Sequence, residues 1–184
     1  MEQNTAISFP WMQDAAKKGA VLAMIHILIF CVLYYAMPNK LTGFSYLFLI
    51  IALNLTYSVY NGNAFRSELG GYVAFGPAFK YVLVLLVTNG LINIVFAIIF
   101  LMIEPAYPDI MAQSQLDTSV YWAEKFNAPE NVIEKMKDEF DFDGTKERFS
   151  FSGLLLSFGI GLIFYSIGAA IAGLIVRKRV PETL

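Results

Sequence analysis

Ala78–Ile103 reads AFKYVLVLLVTNGLINIVFAIIFLMI, and its only charge, Lys80, lies close to one end. A helix needs about 20 apolar residues to cross the hydrocarbon of a bilayer. Lipid offers no partner to an open backbone, so a run of this length and polarity closes its hydrogen bonds as a helix. Strands of a membrane barrel would alternate polar and apolar residues over short segments. This run does not alternate. It predicts a membrane-spanning helix.

Three further runs share this character: Gly19–Met37, Leu41–Tyr60 and Gly153–Val176. The chain of 184 residues is 57% hydrophobic and only 15% charged, well below the quarter or so usual in soluble domains. Its mean hydropathy is +0.57. The expected fold is therefore all-α: an integral membrane four-helix bundle with an extracytoplasmic helical hairpin between the third and fourth spans. Residues 1–18 form an N-terminal segment, and residues 19–103 carry spans one to three with a Gly-rich loop at 61–77. The insert covers 104–150, the fourth span 151–176 and a basic tail 177–184. The first run is too long for the apolar core of a signal peptide, and Tyr35-Ala36-Met37 is a poor cleavage site, so it reads as a retained anchor. Pro10 suits its first turn and Trp11 the interface.

Basic residues set the expected orientation. Lys17, Lys18, Arg66, Lys80, Arg177, Lys178 and Arg179 fall on one side of the spans, against Lys40 in the short turn on the other. The positive-inside rule then puts both termini and the Gly-rich loop in the cytoplasm. The insert, with eleven acidic residues and five basic ones, faces outward. Pro105 and Pro108 stop the third span. Asp109–Phe126 is expected to be one helix, with Met111, Thr118, Trp122 and Phe126 on one face. Asn127 is expected to cap a second helix over Asn131–Phe140, on which Val132, Ile133, Met136 and Phe140 recur at helical spacing. Such a small hairpin needs a surface to lean on, the membrane or a partner.

Ser67–Lys80, SELGGYVAFGPAFK, joins spans two and three. Gly70-Gly71 permits a sharp reversal, and Gly76-Pro77 reads as a helix start, with Gly at the cap and Pro first in the helix. Arg66, Gly70, Gly71 and Lys80 could instead form a backbone nest for an anionic lipid headgroup. No phosphate-loop spacing is present, and the hinge reading is the simpler one. The patterns KKGA before span one, FRSELGGYVAFGPAFK before span three, and an acidic helical insert before a Gly-rich last span resemble a family of small four-helix membrane proteins of Gram-negative bacteria. That family is known only as a domain of unknown function. The resemblance spans about Lys17 to Arg177, with GGYxxFGxAFK its most specific part. It implies the same four-span fold and an inner-membrane location, and it carries no catalytic residues.

Within the spans, His26, Asn54, Asn89 and Asn93 are the polar residues that stand out. Asn89 and Asn93 lie one turn apart. Buried amides commonly glue helices together at about 1 kcal/mol each. A polar path is the alternative, although no intramembrane carboxylate is there to relay protons. His26 and Cys31, five apart, lie on different faces and make no metal site. On the fourth span Ser157, Gly161, Gly168 and Ala172 form a small-residue stripe, flanked by Ala169 and Gly173, suited to close packing within the bundle or against another subunit. In Glu139–Ser150, Glu139, Asp141 and Asp143 would take calcium-loop positions one, three and five. Position twelve, however, is Ser150 where a bidentate Glu belongs, so an Asp-Gly turn is the better reading.

No nucleophile–base motif is present, no cofactor or metal is expected, and the basic residues track the membrane rather than a nucleic acid. The expectation is a non-enzymatic inner-membrane protein in contact with the lipid bilayer: an accessory or assembly subunit of a larger complex with partner subunits. The alternative is a small homo-oligomeric carrier or channel using the asparagine-lined path.

Overall fold

The computed structural model describes residues 10–179, and these form seven α-helices and one short 3-10 turn. Helix α1 is Pro10–Ala36, the 3-10 turn Pro38–Lys40, α2 Phe44–Glu68 and α3 Phe75–Ile103. The insert holds α4 Tyr107–Lys125, α5 Glu130–Asp138 and α6 Phe142–Glu147, and α7 is Phe151–Val176. Helices α1, α2, α3 and α7, of 27, 25, 29 and 26 residues, are long and apolar enough to cross a membrane. At about 1.5 Å per residue, each exceeds the roughly 30 Å hydrocarbon thickness.

Burial on these helices inverts the pattern of a soluble protein. On α1, Val21, Met24, Leu28 and Val32 recur every three or four residues and are all exposed. On α3, Leu91, Val95, Ile99 and Met102 do the same. Facing inward instead are Ser58, Asn61, Asn89, Ala169 and Ala172. Water would penalise such an apolar exterior heavily, whereas acyl chains do not. The protein is an all-α, multi-pass membrane protein.

The chain divides into two compact units, and α1, α2, α3 and α7 each contribute one segment to each. The tail unit takes the described residues of Met1–Met24, Leu53–Ile92 and Gly161–Leu184. Its core gathers Ala15, Leu22, Phe65, Tyr81, Leu85 and Val176, among others. Phe65 stacks on Tyr81 at 4.4 Å between centroids, and the Tyr81 hydroxyl donates to Asp14 at 2.5 Å. Small residues set how closely these helices approach. A Cβ on Gly19 would run into the Leu85 carbonyl of α3, and one on Gly173 would lie 3.2 Å from the Phe79 backbone.

The Gly-rich loop is tied down in this unit. Gly70 and Gly71 hold φ of 81° and 88°, and their amides donate to the carbonyls of Ser67 and Arg66 to close α2. Val73 and Lys178 then exchange both backbone hydrogen bonds, at 3.0 and 2.9 Å. The Arg66 guanidinium donates to the Val176 carbonyl at 2.8 Å, so it caps the last turn of α7. Helix α3 begins at Phe75, two residues earlier than a Gly76 cap with Pro77 first in the helix would place it. Gly76 and Pro77 are both inside the first turn, where the proline's missing N–H costs nothing.

The insert unit takes Ile25–Ala52 and Asn93–Ile160. Its core is aromatic: Tyr34 and Phe100 with Phe30, Phe96, Tyr107 and Phe149. Helix α4 rests on the turn between α1 and α2. There the Thr42 hydroxyl meets that of Thr118 at 2.8 Å and donates to the Ser114 carbonyl at 3.1 Å. Two expectations change. Asn127 does not cap α5; it ends α4 in the left-handed region at φ 55°. Its amide donates to Glu124, and that of Ala128 to Ala123, a Schellman closure in which Asn tolerates the positive φ that most residues avoid. Pro129 takes the cap position of α5. The stretch expected as an Asp-Gly turn contains a further helix, α6, because the Asp141 carboxylate accepts the Gly144 amide at 2.8 Å and caps it. Lys146 joins α6 to α4 through Asp109 at 3.3 Å and also pairs with Asp143 at 3.2 Å.

Candidate functional site

The insert unit contains a cleft of about 400 Å³ between α1, α2, α3 and the start of α4. Each helix reaches it with residues of one face. Helix α1 supplies His26 and Phe30, four apart, and α3 supplies Asn93, Phe96, Ala97 and Phe100. From α2 and the turn before it come Thr42, Tyr46, Leu47 and Ile50, and from α4 comes Tyr107. The walls are largely aromatic. Phe30 meets Phe96, Phe100 and Tyr107 edge to face, with centroids 5.7, 5.1 and 5.7 Å apart. This rigid cage fixes the shape of the cleft.

Its polar groups are few. His26 is 7% exposed. Burial, with Tyr46 and Tyr34 adding to it, pushes the Tyr107 phenol well above its ordinary range, so it remains an O–H donor. No Asp, Glu, Lys or Arg is among the lining residues. Such a space can take hydrogen-bond acceptors on an otherwise apolar body, and it is hostile to a formal charge.

Two of the four intramembrane polar residues singled out from the sequence, His26 and Asn93, meet in this cleft. Asn54 and Asn89 are not among its lining residues and belong to the tail unit, where Asn89 is buried. The cleft's other contributors, Thr42, Tyr46, Tyr107 and the phenylalanines, are not among the residues that stand out in the sequence. A faint signal was present: His26–Phe30 and Asn93–Phe96–Phe100 put a polar residue and aromatics on one helical face. Periodicity identifies such a face without saying which other helix it meets.

The remaining candidates fall elsewhere. Ala169, Ala172 and Gly173 are buried in the tail unit, and Gly168 faces Leu86, where an added Cβ would lie 3.6 Å from Cδ1. Ser157 is exposed, Gly161 is half-buried, and the atom nearest a Cβ on Gly161 belongs to Tyr165 of its own helix, at 3.5 Å. The Gly70 and Gly71 amides and the Arg66 guanidinium are engaged in closing α2 and capping α7. Lys80 lines a groove together with Asp14 and Glu68, whose carboxylates oppose an anionic guest. No group of three or more His, Cys, Asp or Glu among the described residues could hold a metal ion, and Asp141 is occupied as a helix cap.

The family described as "Protein of unknown function (DUF4199)" matches residues 17–178. No curated protein and no solved structure matches the chain.

Proposed function

The chain belongs to the DUF4199 family, and we propose that it serves as a non-enzymatic accessory or assembly subunit of a larger complex in the bacterial inner membrane. Both termini would lie in the cytoplasm and the insert outside it, following the distribution of basic residues. The observation that supports this reading is the split use of the α7 stripe. Toward its C-terminal end the small residues are consumed by packing within the tail unit: Ala169 and Ala172 are fully buried, and Gly173 lies against the Phe79 backbone. Toward the N-terminal end Ser157 is exposed, and Gly161 is half-buried with the Tyr165 ring of its own helix nearest to it. Small side chains on an open helical face let another membrane helix approach closely, which is how helices associate where lipid removes the hydrophobic drive.

The experiment is recovery of the native complex from membranes in a gentle detergent. Ser157→Leu adds bulk at an exposed position and is expected to yield folded protein that no longer co-purifies with its partner. Gly161→Leu, beside the Tyr165 ring that packs on Gly90, is expected to do the same with its helical circular dichroism retained. Gly159→Leu, on a different face with nothing within 4 Å of the added Cβ, is expected to behave as wild type. Undiminished recovery of the complex from both stripe variants would remove the support for this reading.

A further inference from the structure

We propose that the aromatic cleft of the insert unit is a binding site for an uncharged, flat-ringed amphiphile of the quinone type. This goes beyond a docking role, because it assigns the cleft a small-molecule guest of its own. Volume sets the first limit. About 400 Å³ is at the lower end of the roughly 300–1,000 Å³ typical of small-molecule pockets. That accommodates a substituted ring and the start of a tail, and excludes a whole phospholipid.

Charge sets the second limit. No Asp, Glu, Lys or Arg lines the cleft, and a phosphate or carboxylate buried there without an ammonium or guanidinium partner would lose its hydration uncompensated. The guest is therefore neutral. Polarity sets the third. Asn93 brings an amide, and Tyr46 and Tyr107 bring phenols. These are donors matched to carbonyl oxygens on a ring. Shape sets the fourth. Phe30 crosses Phe96 and Phe100 nearly at right angles, at 80° and 88°, while Phe96 and Phe100 tilt by 30° from each other. They offer both faces and edges to a planar, electron-poor ring. Leu47 lines the cleft and is 51% exposed, and Phe48 and Ile51 of the same helix are also exposed. An isoprenoid or alkyl tail leaves along this apolar surface of α2 into lipid.

The test uses the full-length protein in detergent, titrated with a decyl-substituted benzoquinone and followed by saturation-transfer NMR of the quinone ring protons. Decanol serves as the tail-only control. Wild type is expected to give a saturable signal with the quinone that decanol does not displace. Ala97→Phe fills the cleft and is expected to abolish saturable binding. Asn93→Leu removes an amide and is expected to weaken binding about two- to twelve-fold, the scale of losing one ordinary hydrogen bond. Val95→Phe, on the exposed face of the same helix, is expected to bind as wild type. If Ala97→Phe loses its helical circular dichroism, Asn93→Leu alone decides. Non-saturable partitioning, equal displacement by decanol, or wild-type affinity in Asn93→Leu would each overturn the proposal. None of these outcomes bears on recovery of the complex, so the two readings fail separately.

Discussion

At the scale of single residues, the tightest constraints are on glycines and caps. A Cβ at Gly19 meets backbone, the Leu85 carbonyl, and lies 2.9 Å from Thr88 Cβ. Neither neighbour can swing away, so α1 and α3 must part. Gly19→Ala is expected to lower stability by about 1–3 kcal/mol, measured as a lower midpoint of thermal unfolding in detergent. An unchanged midpoint would show that α1 and α3 do not approach as described. Arg66→Gln removes the charged donor to Val176 and should cost about 1–3 kcal/mol. Hydrogen exchange should quicken at Val73 and Lys178, whose mutual bonds lie beside that cap. Asp141→Ala should cost about 0.5–2 kcal/mol and loosen α6, with Asp141→Asn close to wild type because an amide oxygen also caps. If Asn fails where Asp succeeds, charge rather than capping governs the site. The capping role also predicts no saturable calcium binding to the insert by calorimetry.

Among the elements, the long ones were readable in advance and the short ones less so. Four apolar runs declared α1, α2, α3 and α7, since a bilayer demands length and apolarity and little else distinguishes such segments. In the insert, local chemistry allows several outcomes of similar energy. The N-D-P type residues expected to start helices can equally end them, as Asn127 does by accepting a positive φ. Helix α6 has only six residues and survives through its Asp141 cap and the Lys146 tie to α4. The carboxylates of Asp143 and Asp109 hold the Lys146 ammonium above the usual lysine range. A raised lysine value stabilises the fold fully below the unfolded value and ceases to do so as pH rises through the folded one. The α4–α6 tie should therefore hold at neutral pH and loosen as strongly alkaline solution deprotonates Lys146, which amide exchange in α6 would report. The cleft was half legible: His26 and Asn93 stood out as polar residues in apolar runs, whereas its walls emerge only when faces of four helices converge.

For the molecule as a whole, the number of crossings decides which segments share a side of the membrane. Val73 bonds to Lys178 with α3 and α7 among the helices between them, and Thr42 bonds to Ser114 with α2 and α3 between them. Each pair is separated by two spans, so each pair shares one side of the membrane, as four crossings require. Composition made this architecture legible, because few charges and long apolar runs leave no other solvent for the chain. The direct measurement is labelling with a membrane-impermeant maleimide in intact cells, with Cys31 replaced by Ser and single cysteines placed by Ser67→Cys at the end of α2 and Asn131→Cys in the insert. Four crossings put the two positions on opposite sides, so Asn131→Cys is expected to react in intact cells and Ser67→Cys only after permeabilisation. Labelling of both from the same side would contradict four crossings.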